Sequence, residues 1–108
     1  MVDSNGETDR PPPLNSLDAS KAIQRLLEGG TDAISFARHA RERGRTRRFN
    51  RRDIEHVLRN GTVGDPSWDD HFRNWTYRVH GADLDGDELT VVIALDPAWA
   101  RITIITGF

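Results

Sequence analysis

The sequence predicts an α+β domain in which N-terminal helices pack on one face of a small antiparallel meander. Three observations lead there. Apolar residues recur near helical spacing around residues 17–27 and again around 54–58. The period then changes to two, in three runs after Asn74 separated by turn-rich segments. The middle run, Thr90-Val-Val-Ile-Ala-Leu95, is apolar on both faces, as a covered central strand requires. Helices followed by a hairpin-linked sheet build an α+β layer rather than a parallel α/β one.

Taken in order, residues 1–15 read as a disordered or extended tail, because they are polar and carry Pro11-Pro12-Pro13. Residues 16–108 then form a single domain. Ser16 is the expected N-cap of a first helix carrying Leu17, Ile23, Leu26 and Leu27, closed by Gly29-Gly30. Ile34 and Phe36 are spaced as in a short strand, although the same residues also suit a helix continuing past Ala37. Helical character returns from Ala37 to about Gly44. Asn50 and Asp53 stand at the two positions of a capping box, with Phe49 and Ile54 at those of a hydrophobic staple. The helix they start carries Ile54, Val57 and Leu58 and ends at Asn60-Gly61. Residues 61–74 read as polar loop. Trp75, Tyr77 and Val79, then Leu89, Val91, Ile93 and Leu95, then Ile102 and Ile104 mark the inward positions of the three strands.

The chain has no cysteine, which removes disulfides, thiolate metal sites and a cysteine nucleophile, and fits a reducing cytoplasm. It shows neither a signal-peptide pattern nor an apolar run near the ~20 residues of a membrane helix, so a cytoplasmic protein is expected.

Charge is distributed unevenly. Residues 1–37 carry −3, residues 38–59 carry +6 and residues 60–108 carry −5, within a net −2. The central block holds nine arginines and no lysine. Arginine presents a planar, permanently charged fork that matches phosphate and carboxylate. A solvated helix ordinarily interleaves acids and lysines, so Arg38, Arg41, Arg45, Arg48, Arg51 and Arg52 read as a binding surface for RNA or for an acidic protein. Within the block, His39, Arg43 and Arg47 follow i, i+4, i+8 spacing and share one face of a continuous helix. An imidazole beside guanidinium groups can move a proton and stabilise charge on a phosphate. RNA cleavage through its own 2′-hydroxyl needs little more, and no metal or cofactor. The alternative is a solvated basic face with a structural histidine.

Other constellations say less. Thr76, Arg78 and His80 share one face of a strand, where simple exposure accounts for them. Thr106 closes the last strand. Asp83-Leu-Asp-Gly-Asp-Glu88 departs from the EF-hand pattern and reads as a hairpin turn. The four histidines show no metal-ligand spacing.

The stretch Phe36-Ala-Arg-His39-Ala40-Arg-Glu-Arg43-Gly-Arg-Thr-Arg47-Arg-Phe49, continued by Asp53-Ile54-Glu55, resembles the opening of the bacterial domain-of-unknown-function family numbered 4258. That opening usually reads F-[ST]-x-H-A-x-x-R-M-x-x-R-x-I. Ala37 here replaces its Ser or Thr, and Gly44 replaces its Met. Trp75-Thr-Tyr77-Arg78-Val79 through Leu89, ending in Ile104-Ile105-Thr106, is similar to the family's hairpin and closing strand. The resemblance spans about residues 34–108. It implies the barnase–EndoU–colicin–RelE group of folds, many of whose members are metal-independent ribonucleases of toxin–antitoxin pairs. By position it implies His39 as the helix histidine, Arg43 and Arg47 behind it, and Arg78 and Thr106 facing the site from the sheet.

The function expected from this resemblance is a toxin-type, metal-independent endoribonuclease. Its partners would be RNA and an acidic antitoxin, a DNA-binding protein encoded nearby. The alternative is a non-catalytic module that uses the arginines to hold an acidic protein or structured RNA.

Overall fold

The caps set the helices. A computed structural model describes residues 12–29, 33–37, 50–71, 73–96 and 101–108. Helix α1 spans Ser16–Glu28, and its N-cap is Asn15, whose side chain accepts from the Asp18 amide at 2.8 Å. The cap therefore falls one residue before the expected Ser16, since either residue of an Asn-Ser pair can serve and only the backbone turn selects between them. Helix α2 spans Arg51–Asn60. Its capping box is complete: Asn50 Oδ1 accepts from the Asp53 amide at 3.0 Å, and Asp53 Oδ2 accepts from the Asn50 amide at 3.2 Å. The other Asp53 oxygen accepts from the Leu84 amide at 3.2 Å, tying the helix to a turn far along the chain. Gln24 Nε2 donates to the Leu58 and Arg59 carbonyls, satisfying two orphan acceptors at the far end of α2.

The strands are β1 (Ile34–Phe36), β2 (Thr62–Val63), β3 (Ser67–Asp69), β4 (Asn74–Ala82), β5 (Glu88–Asp96) and β6 (Arg101–Gly107). They form one sheet in the order β1-β6-β5-β4-β2, with β3 also on β4. The expected meander β4-β5-β6 is present, but the sheet is mixed rather than antiparallel. Ile34–Phe36 is a strand that pairs in parallel with β6, Ile34 opposite Ile102 and Phe36 opposite Ile104. Three residues are too few for periodicity to identify, and pairing with the exposed edge of β6 decides their conformation. The expected loop over residues 61–74 is corrected too. Its two short strands run beside β4 as one broken edge. The break contains Pro66, which has no amide to give a ladder.

Strand β5 is central, as its two-sided apolar run requires. On one sheet face Tyr77, Val79, Leu89, Val91, Ile93, Leu95, Ile102 and Ile104 are buried. Helix α2 lies across β4 and β5, and α1 packs on α2, β2 and β6, so both described helices cover that face. Ile23, Leu27, Ile54, Val57 and Leu58 fill it. Each such side chain contributes about 1.5–3 kcal/mol when fully buried. Leu14 packs at the rim, and the Tyr77 hydroxyl donates to its carbonyl at 2.8 Å. Burial raises the Tyr77 pKa above its ordinary value.

The exit from α2 passes very close to β4. A Cβ on Gly61 would lie 2.6 Å from the Val57 carbonyl oxygen and 2.7 Å from that of His80. Both are backbone atoms, so they yield only if helix and strand move apart. Gly61→Ala is accordingly expected to destabilise the fold by about 1–3 kcal/mol, the usual range for overpacking. A denaturant midpoint equal to that of the wild type would contradict this close approach.

The turn from Asp83 to Asp87 is the hairpin expected. Asp83 Oδ1 accepts from the Asp85 and Asp87 amides at 2.9 Å each, and Gly86 supplies the positive φ of 89°. No helix among the described residues is long and apolar enough to cross a membrane.

Candidate functional site

Both described helices lie on one face, and among the described residues the opposite face of β4, β5 and β6 presents its side chains outward. Strict alternation from Ile102 and Ile104 would send Thr106 to the buried face. The structure interrupts that alternation. Ile93 pairs with Ile104, but its neighbour Val92 pairs with Thr106, so Ile105 is an extra residue at a bulge. The extra residue turns Thr106 to the open face. Arg78 also pairs with Val92, from the other side. Arg78, Val92 and Thr106 therefore form one cross-strand row. Adjacent strands lie ~4.8 Å apart, which sets the two polar residues ~10 Å apart across a half-buried valine floor.

A second row lies beside the first. His80 pairs with Thr90, and Thr90 exchanges both backbone hydrogen bonds with Phe108 at 2.7 and 2.8 Å. His80 Nδ1 and Thr90 Oγ1 are 2.8 Å apart. The guanidinium carbon of Arg78 lies 5.7 Å from the centroid of the Phe108 ring, which is 44% exposed. The combined patch has an apolar floor, one guanidinium, one imidazole and two hydroxyls. A hollow of about 320 Å³ opens next to it, lined among others by Asp65, Ser67, Asp69, Thr76, Arg78 and Val92. Its two aspartates oppose the charge of Arg78. Thr76 is buried in the hollow wall and donates to the Ser67 carbonyl at 3.0 Å.

Of the residues singled out in the sequence, Arg78 and Thr106 are thus brought together on one face. Arg38, His39, Arg41, Arg43, Arg45, Arg47 and Arg48 lie outside the described residues. Arg51 and Arg52 occupy the first turn of α2, and they differ. The Arg51 guanidinium donates to the Ile34 carbonyl at 2.9 Å and lies 5.8 Å from the Phe36 ring centroid, clasping β1 to α2. Arg52 is exposed. Arg59 is also held, by Glu55 at 2.9 Å and by the Leu27 carbonyl at 3.4 Å. Two of the three arginines on α2 therefore make tertiary contacts.

The sequence places His80 on the face of Arg78, where simple exposure accounts for it, and Phe108 is the patch member that the sequence does not single out. The signal for His80 was the alternation in Thr76-Tyr-Arg-Val-His80, which puts it on the face of Arg78. Phe108 had no signal, because its position follows from the bulge.

The segment that carries His39 begins directly after Ala37. The Ala37 amide donates to the Ile104 carbonyl at 2.8 Å, two residues before Thr106 on the neighbouring strand. Searches of the curated proteins and of the solved structures each found no match. Residues 36–106 match the family described as Domain of unknown function (DUF4258). That match starts at Phe36 on β1 and ends at Thr106 on β6, taking in the arginine block, α2, Arg78 and well over half of the chain. On that extent the chain belongs to this family.

Proposed function

We propose that the chain is a toxin-type, metal-independent endoribonuclease built on a barnase–RelE-like scaffold. One observation carries this reading: the β6 bulge turns Thr106 out of the core and into a row with Arg78. A guanidinium and a hydroxyl on one exposed floor suit a phosphodiester, the first gripping its anionic oxygens and the second donating a hydrogen bond. The scaffold reading is supported by the placement of both described helices on one face of the antiparallel β4-β5-β6 core. The parallel strand β1 is then an edge addition.

In this reading His39 moves the proton of the 2′-hydroxyl, and Arg43 and Arg47 neutralise charge developing on the phosphate. The 2′-oxygen attacks phosphorus and the bond to the 5′-oxygen breaks. The products are a 2′,3′-cyclic phosphate and a 5′-hydroxyl. Arg38, Arg41, Arg45, Arg48 and Arg52 hold the RNA backbone, while Arg51 acts mainly in the fold. An acidic antitoxin covers the same arginines, with affinity that drops steeply as salt rises.

Induced expression in a bacterial host, with and without the neighbouring gene and scored for growth and RNA integrity, tests the function. Purified protein incubated with RNA tests the chemistry. Arg78→Ala should lower cleavage at least about a hundredfold, the usual loss when a preorganised stabilising group is removed. Because Arg78 is exposed, the melting temperature should stay nearly constant. Arg78→Lys should recover only part of the rate, since an ammonium lacks the fork.

A second reading draws on Asp65 and Asp69, whose carboxylates weaken phosphate capture beside Arg78. It makes the chain a non-catalytic module that holds an acidic protein or structured RNA. Protein that cuts no RNA, is harmless when expressed alone, and still binds such a partner in a salt-sensitive way establishes this reading instead.

A further inference from the structure

Cleavage through a 2′-hydroxyl requires two proton transfers. One group takes the proton of the attacking hydroxyl, and another gives a proton to the departing 5′-oxygen. The arginines cannot do the second task, because a guanidinium keeps its protons. We infer that His80 is this second group, the general acid of the open sheet face, on a platform formed by Arg78, Val92, Thr106 and Phe108. The inference rests on the endoribonuclease reading and adds a residue that the reading leaves out.

The geometry is specific. His80 and Arg78 are two residues apart on β4 and project from the same face, with Cα atoms ~7 Å apart, so both side chains reach one phosphodiester. The Thr90 hydroxyl holds Nδ1 at 2.8 Å. An imidazolium in this position donates Nδ1–H to Thr90 Oγ1 and keeps Nε2–H for a substrate oxygen. Among the described residues the groups that face it are these. Glu88 on β5 approaches Nε2 only to 3.9 Å and is itself 89% exposed, so a substrate can displace it. Thr62 on β2 is the residue across the other strand edge, and Arg78 is the nearest cation along β4. The exposed Phe108 ring, next to a guanidinium, is a surface on which a nucleobase stacks, and this favours single-stranded RNA.

The step balances. The 2′-hydroxyl proton goes to the base and phosphorus gains the bond to the 2′-oxygen. The bond from phosphorus to the 5′-oxygen breaks, and Nε2–H of His80 protonates that oxygen. His80 is left neutral and regains its proton from water.

The experiment compares wild type, His80→Ala and His80→Asn on two substrates. One is a single-stranded oligoribonucleotide, and the other is uridine 3′-(p-nitrophenyl phosphate), whose leaving group departs as a stable anion without protonation. Against the oligoribonucleotide, both variants should lose kcat by on the order of a hundredfold or more, with KM little changed. Their rates should also lose the fall at high pH that deprotonation of a general acid causes. On the activated ester both variants should cut at close to the wild-type rate. Equal loss on the two substrates, or oligoribonucleotide cleavage within about threefold of wild type, overturns the role of His80 and leaves the ribonuclease reading intact. A wild type that cuts neither substrate overturns both.

Discussion

Replacing His39 by alanine is expected to abolish RNA cleavage and growth inhibition while the protein melts at its wild-type temperature. The proton of a ribose 2′-hydroxyl is held far too tightly to leave at neutral pH without a base. An imidazole, with an ordinary pKa near 6.5, is the side chain best matched to take it. A positioned acid or base is worth about 10²–10⁴-fold in rate, and its removal leaves the attacking hydroxyl with no group to take its proton. The non-catalytic reading predicts the reverse pattern, in which a structural His39 supports the fold. The melting temperature of His39→Ala would then fall while binding to RNA or to an acidic protein persisted. One melt and one cleavage assay on the same preparation separate the two.

Ile93→Ala is expected to cost about 2–5 kcal/mol, the largest stability effect of any substitution considered. Ile93 is fully buried on the central strand, between Tyr77 on β4 and Ile104 on β6. Strands on both sides and helices above leave the cavity little room to collapse. A domain of this size has a total stability of about 5–15 kcal/mol, so the loss should lower Tm by roughly 10 °C or more. Ile93→Val should cost only about 0.5–1.5 kcal/mol. Ile93 also adjoins the bulge that turns Thr106 outward. Cleavage measured well below the lowered Tm should nevertheless stay close to wild type, because the folded fraction keeps the Arg78–Val92–Thr106 row. A melting temperature unchanged by Ile93→Ala would contradict the central place of β5.

Local patterns were readable in the sequence because they act over a few residues. The box of Asn50 and Asp53 is one such pattern: cap, third helical position and apolar stripe are adjacent in the chain. The β4-β5-β6 meander is another, since alternation and Asp-Gly turn chemistry mark it directly. Less legible were segments whose conformation depends on a distant partner. Ile34–Phe36 is a strand because β6 offers an edge. Thr62–Val63 and Ser67–Asp69 are strands because β4 does. The exposed arginines looked alike in sequence, yet Arg51 found the Ile34 carbonyl and Arg59 the Leu27 carbonyl. Such contacts cannot be foreseen from charge spacing.

The same division holds for the candidate site. The chain by itself specified the fold class, the capped helix, the central strand and a concentration of arginines suited to phosphate or carboxylate partners. Propensity, capping and periodicity are short-range, so they are written in neighbouring residues. Tertiary structure decided which face Thr106 presents and which carbonyls Arg51 and Arg59 of α2 reach. It also decided that Phe108 stands beside Arg78 and that Thr90 holds the His80 ring. A bulge is a mismatch between two strands rather than a property of either one, and only their pairing places Thr106 in the row with Arg78.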